Sequence, residues 1–377
     1  MRIISCPVAL ALAIPLQLAS QQSGVAFSDA HVHLNDPVAW LRTMDTLGIA
    51  RSVVLAGRSA DNAALLDAGR RWPGRVLPFV SVSPEHREFR AAWAADAEHL
   101  GMIVDSLLAR GGFYGVGEIS VSHFPTAGFP EADFDPNGRA MRAILRAARK
   151  HDVPVLVHCE VTRLREFELL LRAHSDVTVI WAHGGYTPLF LARRLLRNHP
   201  NLIYELSART WARHPRSPDY TIFQNENSVW PEWLALIEEM PSRFLVGTDA
   251  SGRSAASDAA NALRVQLLLS QLSGATRSLV GIENLERLLK LPDEPADALT
   301  GTGHAAPPIG TDIEGNMAHT HEYDCIVCGA HFDSQNELVS HNELHKQSAS
   351  GMERPRKGSS SNDALQRDRD QENLGRS

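Results

Sequence analysis

The 377-residue sequence lacks the features of several specialised protein classes. Its four cysteines are too few and too unevenly placed for a disulfide scaffold. A net charge of −7 provides no overall basic field that would attract nucleic acid or anionic lipid. No apolar stretch approaches the ~20 residues that cross a bilayer. The composition, with 44% hydrophobic, 21% charged and 6% aromatic residues, is that of a globular protein and excludes wholesale disorder.

The first residues have the pattern of a targeting segment. Arg2 precedes a mostly apolar run at residues 7–16, and small or polar residues follow at 20–24. A cationic start, an apolar run of roughly 7–15 residues and a small-residue exit are typical of a secretory signal peptide. We therefore expect a signal peptide over residues 1–22 and export to the periplasm or the exterior, with a cytoplasmic protein as the alternative.

Short apolar runs alternate with helical patterns over residues 25–291. Eight runs rich in Val, Ile and Leu end at turn residues, and stretches with one apolar face, such as residues 139–150, lie between them. This alternation implies a parallel sheet with helical crossovers. Because eight units of this size match the ~250 residues of a (β/α)₈ barrel, the sequence predicts an α/β fold, a TIM barrel. An open doubly wound sheet is the alternative.

Residue types that bind metals stand at the ends of five of these runs, in a chain with 17 histidines. Asp29, His31 and His33 alternate in the first run and should share one face of a strand. Four later runs end at single candidate ligands, namely Glu118, His158, His183 and Asp249. Barrel enzymes place their chemistry at the carboxyl ends of the strands. We therefore expect the two histidines of the first run and these four later side chains to meet around a cation.

The order His-x-His, carboxylate, His, His, Asp resembles the amidohydrolase superfamily. The segments FSDAHVHL, VLVHCE, VIWAHGG and FLVGTDAS resemble its amidohydrolase-related branch, and the likeness covers residues 25–291. The resemblance implies that His31, His33 and Asp249 hold one divalent ion, most often zinc. It also implies that His158 and His183 hold or border a second ion.

Glu118 stands where the superfamily places a bridging lysine carbamate or glutamate. If Glu118 does not ligate, the resemblance implies a site with one ion, in which His183 acts on the substrate instead. The barrel is thus expected to bind one or two divalent cations, zinc or another metal.

A metal-dependent hydrolase is the predicted function, with a small molecule containing an amide, ester, lactone or related bond as its substrate. A divalent ion lowers the pKa of its bound water from 15.7 to about 7 and polarises a carbonyl or phosphoryl oxygen. Asp249 is the predicted acceptor of the water's proton. A zinc-dependent decarboxylase or hydratase on the same barrel is one alternative, and a non-catalytic binding protein is another.

A few other polar residues near the predicted barrel mouth are candidate substrate contacts. His123 follows the fourth apolar run, Tyr186 follows the sixth, and Arg253 lies four positions after Asp249. An arginine at such a place can bind a substrate carboxylate through two hydrogen bonds. Arg209 is a comparable candidate, and a solvated loop position is the alternative for His123.

The C-terminal part carries a second metal-binding pattern. Cys325 and Cys328 are separated by two residues, His341 follows after twelve more, and His345 after a further three. The segment 323–345 resembles the two-Cys two-His zinc finger, a small ββα fold that depends on one structural zinc ion. We expect a flexible linker at 292–320, the finger at 321–346 and a disordered tail at 347–377.

The charge of the predicted finger argues against nucleic acid as its partner. Residues 321–346 contain five acidic residues and one lysine. Binding to phosphates needs Lys or Arg, and one finger covers only ~3 bp. A structural role or contact with another protein is therefore expected.

Overall fold

The computed structural model describes residues 24–57, 61–125, 131–211, 220–251 and 254–292, together with the short segments 323–324 and 331–332. The predicted signal peptide and tail lie outside the described residues. So do Arg253 and the four predicted zinc ligands of the finger, Cys325, Cys328, His341 and His345. The signal peptide, the finger zinc site and the disordered tail therefore stay predictions.

Eight parallel strands with surrounding helices form a nearly closed barrel. The strands are β1 (Phe27–Leu34), β2 (Ile49–Ala56), β3 (Val76–Val80), β4 (Gly115–His123), β6 (Val155–Cys159), β7 (Val179–Trp181), β8 (Leu202–Glu205) and β9 (Phe244–Leu245). Each strand pairs with the next in this order, and β5 (Ala132–Asp133) pairs antiparallel with the end of β4. A doubly wound sheet reverses its strand order, so this consecutive order excludes that alternative.

Backbone hydrogen bonds join the first strand to the segment that follows the last one. Asp249 N donates to His31 O over 2.9 Å, and His33 N donates to Ala250 O over 2.8 Å. Because of these bonds, Asp249 lies directly beside the two histidines of β1, although more than 200 residues separate them in the chain.

Helices connect the strands and pack against them. They are α1 (Pro37–Leu47), α2 (Asn62–Arg71), α3 (Arg90–Ala94), α4 (His99–Ala109), α5 (Arg139–Lys150), α6 (Leu164–Ala173), α7 (Leu189–Asn198), α8 (Pro231–Glu239), α9 (Ala255–Ser270), α10 (Gly274–Ser278) and α11 (Asn284–Leu288). The predicted apolar face of α5 is buried and includes Ile144 and Leu145. None of the described helices combines the length and apolarity needed to cross a membrane.

The inside of the barrel is apolar below its carboxyl end. Leu55, Phe79, Leu156 and Ile180 belong to one buried cluster, against which Leu285 from α11 also packs. These side chains exclude water beneath the strand ends, where the polar residues begin.

A second unit contains two short strands. β10 (Tyr323–Asp324) and β11 (His331–Phe332) pair antiparallel, with Tyr323 opposite Phe332. They flank the sequence positions of Cys325 and Cys328, and the metal ligands of the predicted finger lie outside the described residues.

Candidate metal centre

Strand β1 directs two imidazole rings toward each other. The Nε2 atoms of His31 and His33 are 3.3 Å apart. His31 Nδ1 lies 3.3 Å from the Glu205 carboxylate, and His33 Nδ1 lies 3.1 Å from the carbonyl oxygen of Ala56. Both of these oxygens only accept hydrogen bonds, so each Nδ1 donates, and in the neutral ring Nε2 carries the lone pair.

Two carboxylates approach the same pair of nitrogens. Glu118 Oε2 lies 3.4 Å from Nε2 of His31 and 3.3 Å from Nε2 of His33. Asp249 Oδ1 lies 3.6 Å and 3.4 Å from the same two atoms. A tetrahedral ion with bonds of about 2.1 Å separates its ligand atoms by about 3.4 Å. These distances are therefore the spacing that a small divalent cation requires.

The other oxygen of Glu118 faces a second pair of histidines. Glu118 Oε1 lies 2.9 Å from His158 Nδ1 and 3.7 Å from His183 Nε2. His183 Nδ1 donates to the carbonyl oxygen of Ser207 over 3.0 Å, which leaves Nε2 turned toward Glu118. One carboxylate thus stands between two groups of imidazole nitrogens.

A left-handed turn brings the His183 ring into the barrel mouth. His183, Gly184 and Gly185 have φ values of 55°, 50° and 56°. A Cβ atom on Gly184 would lie 1.7 Å from the Tyr204 ring, so only glycine fits there. The His183 ring stacks on that of His31, with centroids 5.1 Å apart.

Burial disfavours the charged form of each candidate ligand. For most of them, neighbouring charges and hydrogen bonds shift the pKa in the opposite direction. Burial alone would lower the pKa of His33, but hydrogen bonds to Asp249 and Glu118 raise it to about 10. Burial would also raise the pKa of Asp249, but the hydrogen bond from His33 and the charge on His31 lower it to about 2. The Asp249 carboxylate therefore stays ionised, which favours cation binding.

The pKa values of His158 and His183 shift in opposite directions. Burial lowers the pKa of His158, but the hydrogen bond to Glu118 and the nearby Glu160 carboxylate raise it to a net value of about 10. The pKa of His183 is lowered, chiefly by burial. The pKa of Glu118 lies well below its ordinary value, because the charge on His31 and the hydrogen bond from His158 outweigh the effect of burial.

Glu205, at the end of β8, is a functional candidate that the sequence argument did not identify. It is fully buried and accepts hydrogen bonds from His31 Nδ1, from the backbone N of His183 over 3.2 Å, and from Ser207 Oγ over 2.7 Å. It fixes the orientation of His31 and the turn at His183. Its position in the sequence could have identified it, because Glu205 lies near the end of the seventh apolar run, where the other runs carry their candidate ligands.

Asp29 does not join the cluster of ligand atoms. Its carboxylate accepts from the backbone N atoms of His31 and Thr248, each over 3.0 Å, and from the Thr248 hydroxyl over 2.6 Å. The pairing of β1 with β2 is irregular between Asp29 and Val32, so strict alternation fails at this point. Asp29 fastens β1 to the segment after β9.

Two of the candidate substrate residues lie against the histidines. The Tyr186 ring stacks on His183 with centroids 5.3 Å apart, and on Tyr220 with centroids 4.6 Å apart. The His123 ring meets His158 edge-on at 4.8 Å. Both side chains are therefore next to the centre.

Arg209 has a structural role that the sequence did not indicate. It is buried, and its guanidinium donates to the Thr187 carbonyl and to the Tyr204 hydroxyl. It also borders a cavity of about 670 Å³ that Trp230 and Trp233 line, and none of the candidate metal ligands lines that cavity. Arg209 thus braces the loops after β7 and β8 rather than facing the centre.

Comparison with protein families gives a clear assignment. The sequence profile of the amidohydrolase family matches residues 29–291. The chain belongs to this family, which uses divalent metals, and the predicted membership is confirmed. No curated protein matches the chain.

Similar solved structures include proteins with different reactions. One is a TatD homolog from Escherichia coli K12, with 18% identity, a TM-score of 0.49, and coverage of 71% of this chain and 98% of that one. Another is a 2,6-dihydroxybenzoate decarboxylase, with 15% identity, a TM-score of 0.47, and coverage of 70% and 100%. A third is a probable 2-pyrone-4,6-dicarboxylic acid hydrolase from Acinetobacter baumannii, with 12% identity, a TM-score of 0.44, and coverage of 70% and 99%. These likenesses do not decide between hydrolysis and decarboxylation.

Proposed function

We propose that the protein is a metal-dependent hydrolase whose barrel holds two divalent cations, with zinc as the first candidate. The observation that carries this proposal is the position of Glu118, whose two oxygens face two different pairs of histidine nitrogens. One cation would be held by His31, His33, Asp249 and Glu118, and the other by His158, His183 and Glu118.

The charge of the centre supports two cations rather than one. Glu118, Glu160, Glu205 and Asp249 contribute four formal negative charges to a largely buried region. Within the described part of the chain, no Lys or Arg side chain forms an ion pair or hydrogen bond with any of them. Two divalent cations balance these four charges when the ligating imidazoles are neutral, whereas one cation balances two of them and leaves the remainder to protonated histidines such as His158.

The residues of the chain have distinct proposed roles in hydrolysis. When bound, divalent cations in such a site polarise the oxygen of the scissile bond and lower the pKa of water from 15.7 to about 7. Asp249 accepts the proton of the attacking water and returns it to the leaving group. Its low pKa comes partly from positive charge on His31 and His33; in the loaded site those rings would be neutral and the cation would supply positive charge in their place.

The surroundings of the cluster position the reacting groups. Glu205 holds His31 in the required tautomer through the hydrogen bond to Nδ1. Tyr186, whose ring stacks on those of His183 and Tyr220, forms one wall beside the cluster. The proposed substrate is a small molecule with a neutral amide, ester or lactone bond.

The test uses the full-length chain, freed of metal and reloaded with Zn²⁺ or Mn²⁺. It is offered neutral amides, esters, lactones and phosphoesters, and aromatic carboxylates as the alternative class, with products followed by mass spectrometry and CO₂ release. We expect hydrolysis and three zinc ions per chain, one of which is lost in Cys325→Ser. CO₂ release without hydrolysis would contradict the proposal in favour of a decarboxylase. A chain with one zinc ion and no turnover would indicate a binding protein.

We also propose that residues 321–346 bind one structural zinc ion and contact another protein. Support comes from the spacing of the four Cys and His ligands, from the acidic charge of the segment, and from the antiparallel pair formed by β10 and β11. Thiol titration of the native chain tests this. Two thiols that become reactive only after chelation support zinc, whereas a disulfide contradicts it.

A further inference from the structure

His158 has candidate ligand atoms on both sides of its ring. Its Nδ1 lies 2.9 Å from Glu118 Oε1, and its Nε2 lies 3.7 Å from Glu160 Oε1. His158 and Glu160 are each only 3% exposed. Within the described residues, His158 Nε2 and Glu160 Oε2 have no hydrogen-bond partner. Two neighbouring buried side chains thus each have a polar atom without a hydrogen-bond partner, which is rare unless a ligand or water supplies the contact.

His123 completes a group around that volume. One ligand atom from each of His123, His158 and Glu160 lies within 4.8 Å of the other two. The backbone holds this group in place, since Glu160 N donates to Ser122 O over 3.1 Å and Glu160 Oε1 accepts from Phe124 N over 3.1 Å. The three side chains therefore come from the adjacent ends of β4 and β6 in a fixed arrangement.

The hydrogen bond from His158 to Glu118 directs the other ring nitrogen of His158 toward Glu160 and His123. The Glu118 carboxylate only accepts, so the short 2.9 Å contact places a proton on His158 Nδ1. A neutral ring with its proton on Nδ1 presents its one lone pair at Nε2, toward Glu160 and away from Glu118. Binding of a cation at the inner position needs the opposite tautomer.

We propose that His123, His158 and Glu160 form an outer cation site at the mouth of the barrel, distinct from the two inner positions. Two imidazole nitrogens and one carboxylate suit a borderline divalent ion such as Zn²⁺, Mn²⁺ or Co²⁺. Because a neutral imidazole has one lone pair, His158 serves either the outer site or the inner position beside His183, but not both at once. The outer site is thus a place where the second cation is held before it moves inward, and in this respect it rests on the proposed two-cation centre.

The test counts Mn²⁺ bound to the full-length chain by calorimetry and by electron paramagnetic resonance. Mn²⁺ prefers oxygen and nitrogen ligands, so the Cys pair of the predicted finger does not contribute. His183→Asn removes a ligand from the inner second position only, and Glu160→Gln is then added to it. Exposed Glu232→Gln in the same background is the matched control.

In wild type we expect two Mn²⁺ ions with the magnetic coupling of a shared Glu118 carboxylate. In His183→Asn we expect the second ion to remain, uncoupled and bound at least tenfold more weakly. It should be lost when Glu160→Gln is added and kept with Glu232→Gln. The first ion, held by residues unchanged in every variant, reports that the barrel is folded. Equal second-ion binding in His183→Asn with and without Glu160→Gln would overturn the outer site, whereas a single uncoupled ion in wild type would overturn the two-cation centre.

Discussion

Raising the pH should strengthen cation binding steeply, because protons and cations compete for the same histidine nitrogens. Burial would lower the pKa values of His31, His33 and His158, but the neighbouring carboxylates raise them, to about 10 for His33 and His158 and well above the ordinary value for His31. A ligating ring must be neutral. Two protons should therefore leave with the cation at His31 and His33, and one with the cation at His158.

The free-energy cost of removing each proton follows from the difference between the pKa of the group and the working pH. At pH 7.5, removing a proton from a group with a pKa near 10 costs about 3 kcal/mol. Below that pKa each released proton makes the apparent affinity rise about tenfold per pH unit. Through His33 alone, the dissociation constant of the first cation should fall about tenfold per unit between pH 7 and 9, and more steeply where His31 also releases a proton. That of the second cation should fall about tenfold per unit, and the contributions of His33 and His158 should level off above pH 10.

Calorimetry with Mn²⁺ measures these quantities directly. Titrations in two buffers of different ionisation enthalpy give the number of protons released, and a pH series gives the slope of the affinity. Glu118→Gln is the informative variant, because it removes a charge that raises all three histidine pKa values and should release fewer protons and bind one cation less. A dissociation constant that is unchanged between pH 7 and 9 would refute the reasoning.

Three further predictions concern single residues. Asp249→Asn should retain much of the bound metal but lose turnover, and wild-type activity would show that the proton acceptor is another group. Glu205→Gln should weaken cation binding about 10- to 100-fold through misorientation of His31, measured by competition with a metal chelator. Asp29→Ala should lower the free energy of unfolding by about 2–4 kcal/mol, because the buried backbone N–H groups of His31 and Thr248 lose their acceptor, and urea denaturation measures this.

The periodicity of the sequence was sufficient to predict the barrel and to predict that most of the candidate metal ligands lie close together. Strands of a closed barrel alternate inward and outward, so a polar residue that ends an apolar run is directed to the carboxyl end whatever the loops do. His158, next to the last residue of β6, follows this rule, whereas Glu118 lies within β4 and Asp249 lies four residues after β9 with a φ of 52°. The extra strand β5 gave no such signal, because its two residues form only an edge pair with β4.

The remaining parts of the centre depend on local backbone geometry that periodicity does not encode. His183 reaches the cluster through three consecutive left-handed residues rather than by strand alternation. Asp29 leaves the histidine face at an irregularity in β1. Arg209 becomes a brace because the Tyr204 hydroxyl and the Thr187 carbonyl happen to surround it, and contacts of this kind between distant loops appear only once the fold is formed.

The charge of the centre bears on the reaction as well as on the metal. With two divalent cations, the four carboxylates of Glu118, Glu160, Glu205 and Asp249 are balanced, and no Lys or Arg in the described part of the chain pairs with them. A neutral amide, ester or lactone enters such a site without adding charge. A substrate carboxylate adds a buried negative charge, and within the described residues no Lys or Arg pairs with the centre to offset it, which is unfavourable by several kcal/mol before any hydrogen bond forms; Arg253, the predicted carboxylate contact, lies outside those residues. This charge balance is the reason that we propose hydrolysis of a neutral bond rather than decarboxylation for this centre.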